Sequence, residues 1–179
     1  MANLEHGFSG ENQSVETLAQ IHKVNVEAVL NYKQQILNEE VINEEFIGMP
    51  LKEVNRHFSE AIKELEYSYC LSLLSATEAR FRMDYVVRAT QRLRDDLSRR
   101  FRDIYKEEKR NVRFEVILDN WKEYHPDLKT HVGYYNGALQ LRHWLAHGRY
   151  WTPKFGNKYN PESVYLICES ISNELPFEI

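Results

Sequence analysis

The run Arg142, His143, Trp144, Leu145, Ala146, His147, Gly148 gathers the residue types best suited to chemistry on an anion. Arginine offers a planar, permanently charged fork of donors. Histidine takes up or releases a proton near neutral pH. Arg142 and His147 stand five residues apart. On an α-helix that offset is about 500° of rotation and about 7.5 Å of rise, so the two side chains point roughly 140° apart. Arginine is long enough to bend toward a shared cleft, but the two cannot form one tight ridge. His143 and His147, four apart, share a stripe. Gly148 suits the position just past a helix C-terminus. His147 is therefore expected in the last turn, where the negative end of the helix dipole favours a protonated imidazole. The same HxxxH spacing offers two zinc ligands from one face. A stable site needs three or four, and no spacing recruits Glu169, His125 or His131, so neither metal nor cofactor is expected.

These residues need a helix to carry them, and the sequence supplies several. Residues 1–13 are polar and rich in Gly, Asn and Ser and read as a flexible tail. Residues 14–179 read as a single domain. Ser14 is a plausible N-cap for a first helix whose apolar stripe (Val15, Leu18, Ile21, Val26, Val29, Leu37) runs to about Phe46, where Gly48 and Pro50 stop it. A second, long helix starts at Leu51. Its stripe of Val54, Phe58, Ile62, Leu65, Tyr69 and Leu73 continues through Phe81 and Tyr85 to about Leu97, with a break near Asp95 and Asp96. A charged helix through Phe101, Ile104 and Tyr105 follows, then a short one carrying Phe114, Ile117 and Trp121. Asp127 can cap the helix that bears the Arg142 to Gly148 run. Residues 151–159, with Pro153 and Gly156, read as a loop. Asn160, Pro161 and Glu162 mark the start of a last helix: a capping side chain, proline in the first turn, then an acid. The expected fold is all-α: an antiparallel four-helix bundle with an additional helical connection between the second and third principal helices.

Composition agrees with a compact helical domain. Apolar residues make up 42% of the 179 and charged residues 28%, which argues against wholesale disorder. Seven glycines and five prolines are too few for a turn-rich β fold. Two cysteines, Cys70 and Cys168, sit in apolar helical patterns and read as buried thiols in a reducing compartment, not as a disulfide framework. The N-terminus lacks the basic and apolar segments of a secretory signal, and no apolar run reaches the roughly 20 residues of a membrane span. The chain is expected to be cytoplasmic, with no membrane association. Its net charge of −4 is unevenly spread: residues 1–66 hold twelve acids and five bases, whereas residues 78–113 hold twelve bases and seven acids. A basic block in an acidic protein fits either a polyanion site or a solvated helix face laced with ion pairs.

At RHWLAHG the sequence resembles the HEPN superfamily, whose RxxxxH motif lies near the end of the third bundle helix and is followed by a loop and a fourth helix. The motif match covers seven residues, and the architectural match covers about 51–175. His143 stands where the family more often has Asn after the Arg. The resemblance implies a metal-independent endoribonuclease in which the RNA's own 2′-hydroxyl attacks the phosphate. Arg142 would hold non-bridging oxygens, and His147 would serve as base or acid. His143 would orient the phosphate or His147, or complete an acid–base pair within one protomer. The resemblance also implies a homodimer that joins two motifs across a twofold axis. It further implies a role as a toxin or phage-defence effector, with an antitoxin or defence-system protein as partner. The alternative is a non-catalytic HEPN-like module that binds nucleotide, RNA or a partner protein.

Residues around the motif have two readings each. Glu78 is placed to buttress Arg142, while Arg80 and Arg82 are placed to guide RNA; equally, the three form an ordinary i,i+4 face. Tyr150 and Trp151, like Tyr134, Tyr135 and Asn136, suit either base stacking or packing. Arg88, Arg92, Arg94, Arg99, Arg100 and Arg102 are candidates for contacts with the RNA backbone, which would make affinity salt-dependent. No GxGxxG, Walker-type loop, GxSxG or cysteine nucleophile motif is found.

Overall fold

The structure, a computed structural model, describes residues 7–156 and 158–179. Six α-helices and three short 3-10 turns make up the secondary structure of the described residues, without a strand among them. The helices are α1 (Val15–Leu37), α2 (Leu51–Thr90), α3 (Asp96–Glu108), α4 (Phe114–Tyr124), α5 (Lys129–Ala146) and α6 (Pro161–Glu174). None is long and apolar enough to cross a membrane. The first six residues of the expected tail lie outside the described residues, as does Asn157.

Helix α2 is the spine: at 40 residues it is about 60 Å long, and all five other helices pack on it. Its buried stripe includes Leu73, Leu74, Phe81 and Tyr85. Phe81 lies at the centre of the core, stacked on Tyr135 at 5.5 Å and edge-on to Trp121 at 6.1 Å. Tyr135 is fully buried yet satisfied, since its hydroxyl donates to the Leu74 carbonyl at 2.7 Å. Helix α1 runs back along α2, with His22 stacked on Tyr69 at 4.1 Å and Tyr32 edge-on to Phe58. At the far end of this hairpin a separate small cluster forms from Phe46, Val54 and Phe58.

Several boundaries move from their expected places. Helix α1 stops at Leu37, nine residues early: Glu39 turns left-handed at φ 60°, and Asn43 then caps a 3-10 turn, Glu44–Phe46. Helix α2 stops at Thr90, because Asp95 starts α3 as an N-cap that accepts from the Ser98 amide. Leu128, not Asp127, precedes the first residue of α5, after a 3-10 turn at Pro126–Leu128. The Asn160 start of α6 is a full capping box, with Asn160 and Ser163 each holding the other's amide.

Arg88 departs most from its expected role. It is 3% exposed and sits inside the core. Its Nε donates to both carboxylate oxygens of Asp84, Nη1 reaches Asp95 and Ser98, and Nη2 donates to the Pro176 carbonyl. Burial pushes the Asp84 carboxyl up to about 6, against the opposing pull of the Arg88 charge and the Glu178 amide. This knot ties the end of α2 to the start of α3 and to the C-terminal segment, whose Phe177 packs edge-on against Phe81 and Trp121. A buried guanidinium so fully occupied cannot serve as a phosphate contact. Arg99, Arg100 and Arg102 are engaged too, by Asp96, Asn120 and the Leu93 carbonyl.

Candidate active site

The Arg142 run closes helix α5. Ala146 is the last helical residue and His147 the C-cap, one step beyond the expected last turn. The chain then turns left-handed at Gly148 (φ 77°) and again at Arg149 (φ 59°). The Gly148 amide donates to the Leu145 carbonyl and the Arg149 amide to that of Trp144, the paired bonds of a Schellman motif. A side chain at Gly148 would meet no atom within 4 Å, so its backbone angle alone selects glycine there. Arg149 is pinned outward: it pairs with Glu64 at 2.7 Å and lies over the Tyr67 ring. The Glu64 contact raises the Arg149 guanidinium above, and lowers the Glu64 carboxyl below, their ordinary ranges.

Arg142 extends toward α2, where its Nη2 meets Glu78 Oε2 at 3.1 Å. The other oxygen of Glu78 accepts from Arg82 Nε at 2.8 Å. One carboxylate, 13% exposed, therefore fixes two guanidiniums that are each more than a third exposed. Arg82 is steadied further by the Phe114 ring beneath it.

These groups open onto a cleft of about 660 Å³ between α2, the start of α4, α5 and the loop after α5. Arg82, Arg113, Arg142 and Lys154 line it against only Glu78 and Glu115 among the acids, so the lining carries a cationic excess. Trp151 and Phe155 bring aromatic faces to the same space. Trp144, within the run, anchors that loop: its indole N–H donates to the Trp151 carbonyl at 2.8 Å, and its ring meets Phe155 edge-on. A second anchor is Gly137, where a Cβ would come within 2.8 Å of the Tyr159 hydroxyl.

His143 lines the cleft beside Arg142, and His147 does not. The two imidazoles nevertheless stand 4.2 Å apart between ring centroids, on the shared stripe that their spacing implies. His143 also faces Trp151 at 5.5 Å. Of the other candidate residues, Glu78 and Arg82 join Arg142, but Arg80 does not. It leans over the Phe177 ring, away from the cleft. Tyr150 is 83% exposed and touches Trp151 without entering the cleft. Tyr135 belongs to the core, and Asn136 lines the cleft.

Arg113 and Lys154 are the cleft cations that the sequence did not single out. Each stands in a connection, one before α4 and one after α5, where no periodicity marks the direction of a side chain. Glu169, His125 and His131 are occupied elsewhere, by Tyr165, Trp121 and Ser170 respectively. Among the described residues no group of three His, Cys, Asp or Glu side chains is placed to hold a metal ion. Both thiols are buried, and burial pushes each up to about 12, so neither is a ready nucleophile.

The cleft can therefore grip an anion through a positioned arginine and present imidazole beside it. Comparison with protein-family models, with curated proteins and with solved structures finds no match to this chain.

Proposed function

We propose that the chain is a metal-independent endoribonuclease of HEPN type. The reading rests on one observation: Arg142, braced by Glu78, stands in a cationic cleft with His143 beside it and His147 4.2 Å further on. In the bundle this implies, α1, α2, α5 and α6 are the four principal helices and α3 with α4 forms the added connection.

In this mechanism the Arg142 fork holds non-bridging phosphate oxygens as negative charge grows on them. One imidazole takes the proton of the 2′-hydroxyl as O2′ bonds to phosphorus. As the P–O5′ bond breaks, the other imidazole, protonated, delivers a proton to the leaving O5′. The products are a 2′,3′-cyclic phosphate and a 5′-hydroxyl. His143 in place of the family's more usual Asn gives one protomer both a base and an acid. A homodimer, which the family resemblance implies, would double the set. On this reading the protein works in the cytoplasm as a toxin or phage-defence effector, held in check by an antitoxin or defence-system protein.

A second reading, a non-catalytic module that binds RNA, nucleotide or a partner protein, is favoured by one observation: His147 stands outside the cleft lining. Cleavage of an RNA panel in EDTA separates the two. The ribonuclease reading expects cyclic phosphate ends, lost in both Arg142→Ala and His147→Ala. Undiminished cleavage by His147→Ala would sink the assigned mechanism. Absence of cleavage, together with salt-dependent RNA affinity that Arg142→Ala weakens, would establish the module instead.

A further inference from the structure

Helix α5 brings more than arginine and imidazole to the cleft. Asn136, Gln140, His143 and His147 follow one another at helical spacing, so all four fall within about 60° of one another around the axis. The first three line the cleft. Gln140 precedes His143 by about 4.5 Å along the axis and Asn136 by about 10.5 Å. Both carboxamides are exposed, and among the described residues neither has a hydrogen-bond partner. Arg142 and Arg82 are held by Glu78, whereas these two amides are uncommitted, and each can donate and accept at once.

Beside this stripe stands Trp151, with its ring 5.5 Å from that of His143. Its carbonyl is fixed by the Trp144 indole, and further along the loop the Phe155 carbonyl accepts from the Lys158 amide at 3.1 Å. The indole is thus preset, and Leu139 and Phe155 add apolar lining near it. A phosphate has no use for an indole face, an apolar wall or a group that both donates and accepts. An unpaired base uses all three.

We infer that the cleft reads one base beside the phosphate held by Arg142, that Trp151 stacks on it, that Gln140 and Asn136 address its edge, and that the base is adenine. A carboxamide pairs in bidentate fashion with the N6 donor and N7 acceptor of adenine. The same edge of guanine shows two acceptors and calls for an arginine fork, and the Arg142 fork is turned to Glu78. Pyrimidines offer the indole a smaller face. The inference rests on RNA as the ligand of the cleft. It concerns recognition, and binding without turnover tests it.

The test is fluorescence anisotropy of the full chain with uridine hexamers carrying A, G, C or U at one central position. The hexamers are 2′-O-methylated throughout, so no 2′-hydroxyl can attack and the RNA stays whole. The A-containing hexamer is expected to bind at least about fivefold tighter than the others. Asn136→Ala plus Gln140→Ala should bring its affinity down to theirs; both positions are exposed and without partners, so the fold is not at stake. Trp151→Leu should weaken all four, because stacking tolerates any base; the Trp144 bond uses the backbone of Trp151 and survives the change. Equal binding of the four hexamers, no binding of any, or an A preference that outlives the double substitution overturns the inference. Displacement of the A hexamer by an equal concentration of AMP also overturns it, and assigns the site to a free nucleotide. Cleavage of unmodified RNA without base preference would keep the ribonuclease and reject the base site. An A preference without cleavage would do the reverse.

Discussion

Glu78 is the residue whose removal the site should feel most. Its carboxylate meets Arg142 at 3.1 Å and Arg82 at 2.8 Å. Opposite charges at such distances attract by about 1 kcal/mol in water and about 4 kcal/mol at the effective dielectric of a protein surface. Arg142 and Arg82 are 37% and 39% exposed, so solvent screens both pairs, and about 1 kcal/mol each is the appropriate scale. Glu78→Ala is then expected to cost about 2 kcal/mol, which for a chain of this size lowers Tm by roughly 4–8 °C. A double-mutant cycle isolates the Arg142 share. Chemical denaturation of Glu78→Ala, Arg142→Ala and the double variant should give a coupling energy near 1 kcal/mol. The functional signature is a split. Glu78→Gln raises the positive charge of the cleft, so RNA affinity should hold or rise, while cleavage falls on the order of 10- to 100-fold because the fork is no longer aimed. Additivity within about 0.3 kcal/mol in the cycle, or unchanged cleavage by Glu78→Gln, would refute the view that Glu78 positions Arg142.

Two further outcomes follow from groups outside the cleft. Asp84 binds its proton more tightly in the folded chain, at about 6, than its ordinary value of 3.8. Its contribution to stability is therefore fully present below the unfolded value and lost as pH rises through 6. Urea denaturation should therefore show Asp84 favouring the fold more at pH 4 than at pH 7. An Asp84 carboxyl that titrates below 4 by NMR would contradict this. Gly148→Ala should destabilise by roughly 1 kcal/mol and Gly148→Asn by less, since only the left-handed backbone opposes a side chain there; equal stability of all three proteins would remove the Schellman turn from the account.

Where the sequence spoke clearly, it did so through local chemistry. Asn160, Pro161 and Ser163 sit within one turn, and a capping box needs nothing beyond that turn. The stripe of α2 is equally local and led correctly to Phe81 and Tyr85. The same stripe contained an unread signal. Arg88 follows Phe81, Asp84 and Tyr85 at helical spacing, so its position on the buried face was visible although its residue type suggested solvent. Its partners were not visible, because Pro176 returns from 88 residues away and Glu178 from further still. For the cleft, Glu78, Arg82, Arg142 and His143 lie on helices and their faces could be read. Arg113 and Lys154 depend on connections whose course is set by tertiary contacts, such as the Trp144 bond to the Trp151 carbonyl. The early end of α1 had no breaker to announce it. It is set by Phe46 folding back onto Phe58, stacked at 5.5 Å.

A single helix that serves two cores does not have a single stability. Residues 73–88 of α2 are clamped by the central cluster, so their amides exchange with solvent only when the whole domain opens. Residues 51–58 are held by α1 and three buried side chains, so they can unzip with the hairpin while the rest of the helix stays wound. The long helix is thus one element in geometry and two in cooperativity. The seam between them falls near Leu65, just before Tyr67 and Tyr69 meet Trp144 and His22.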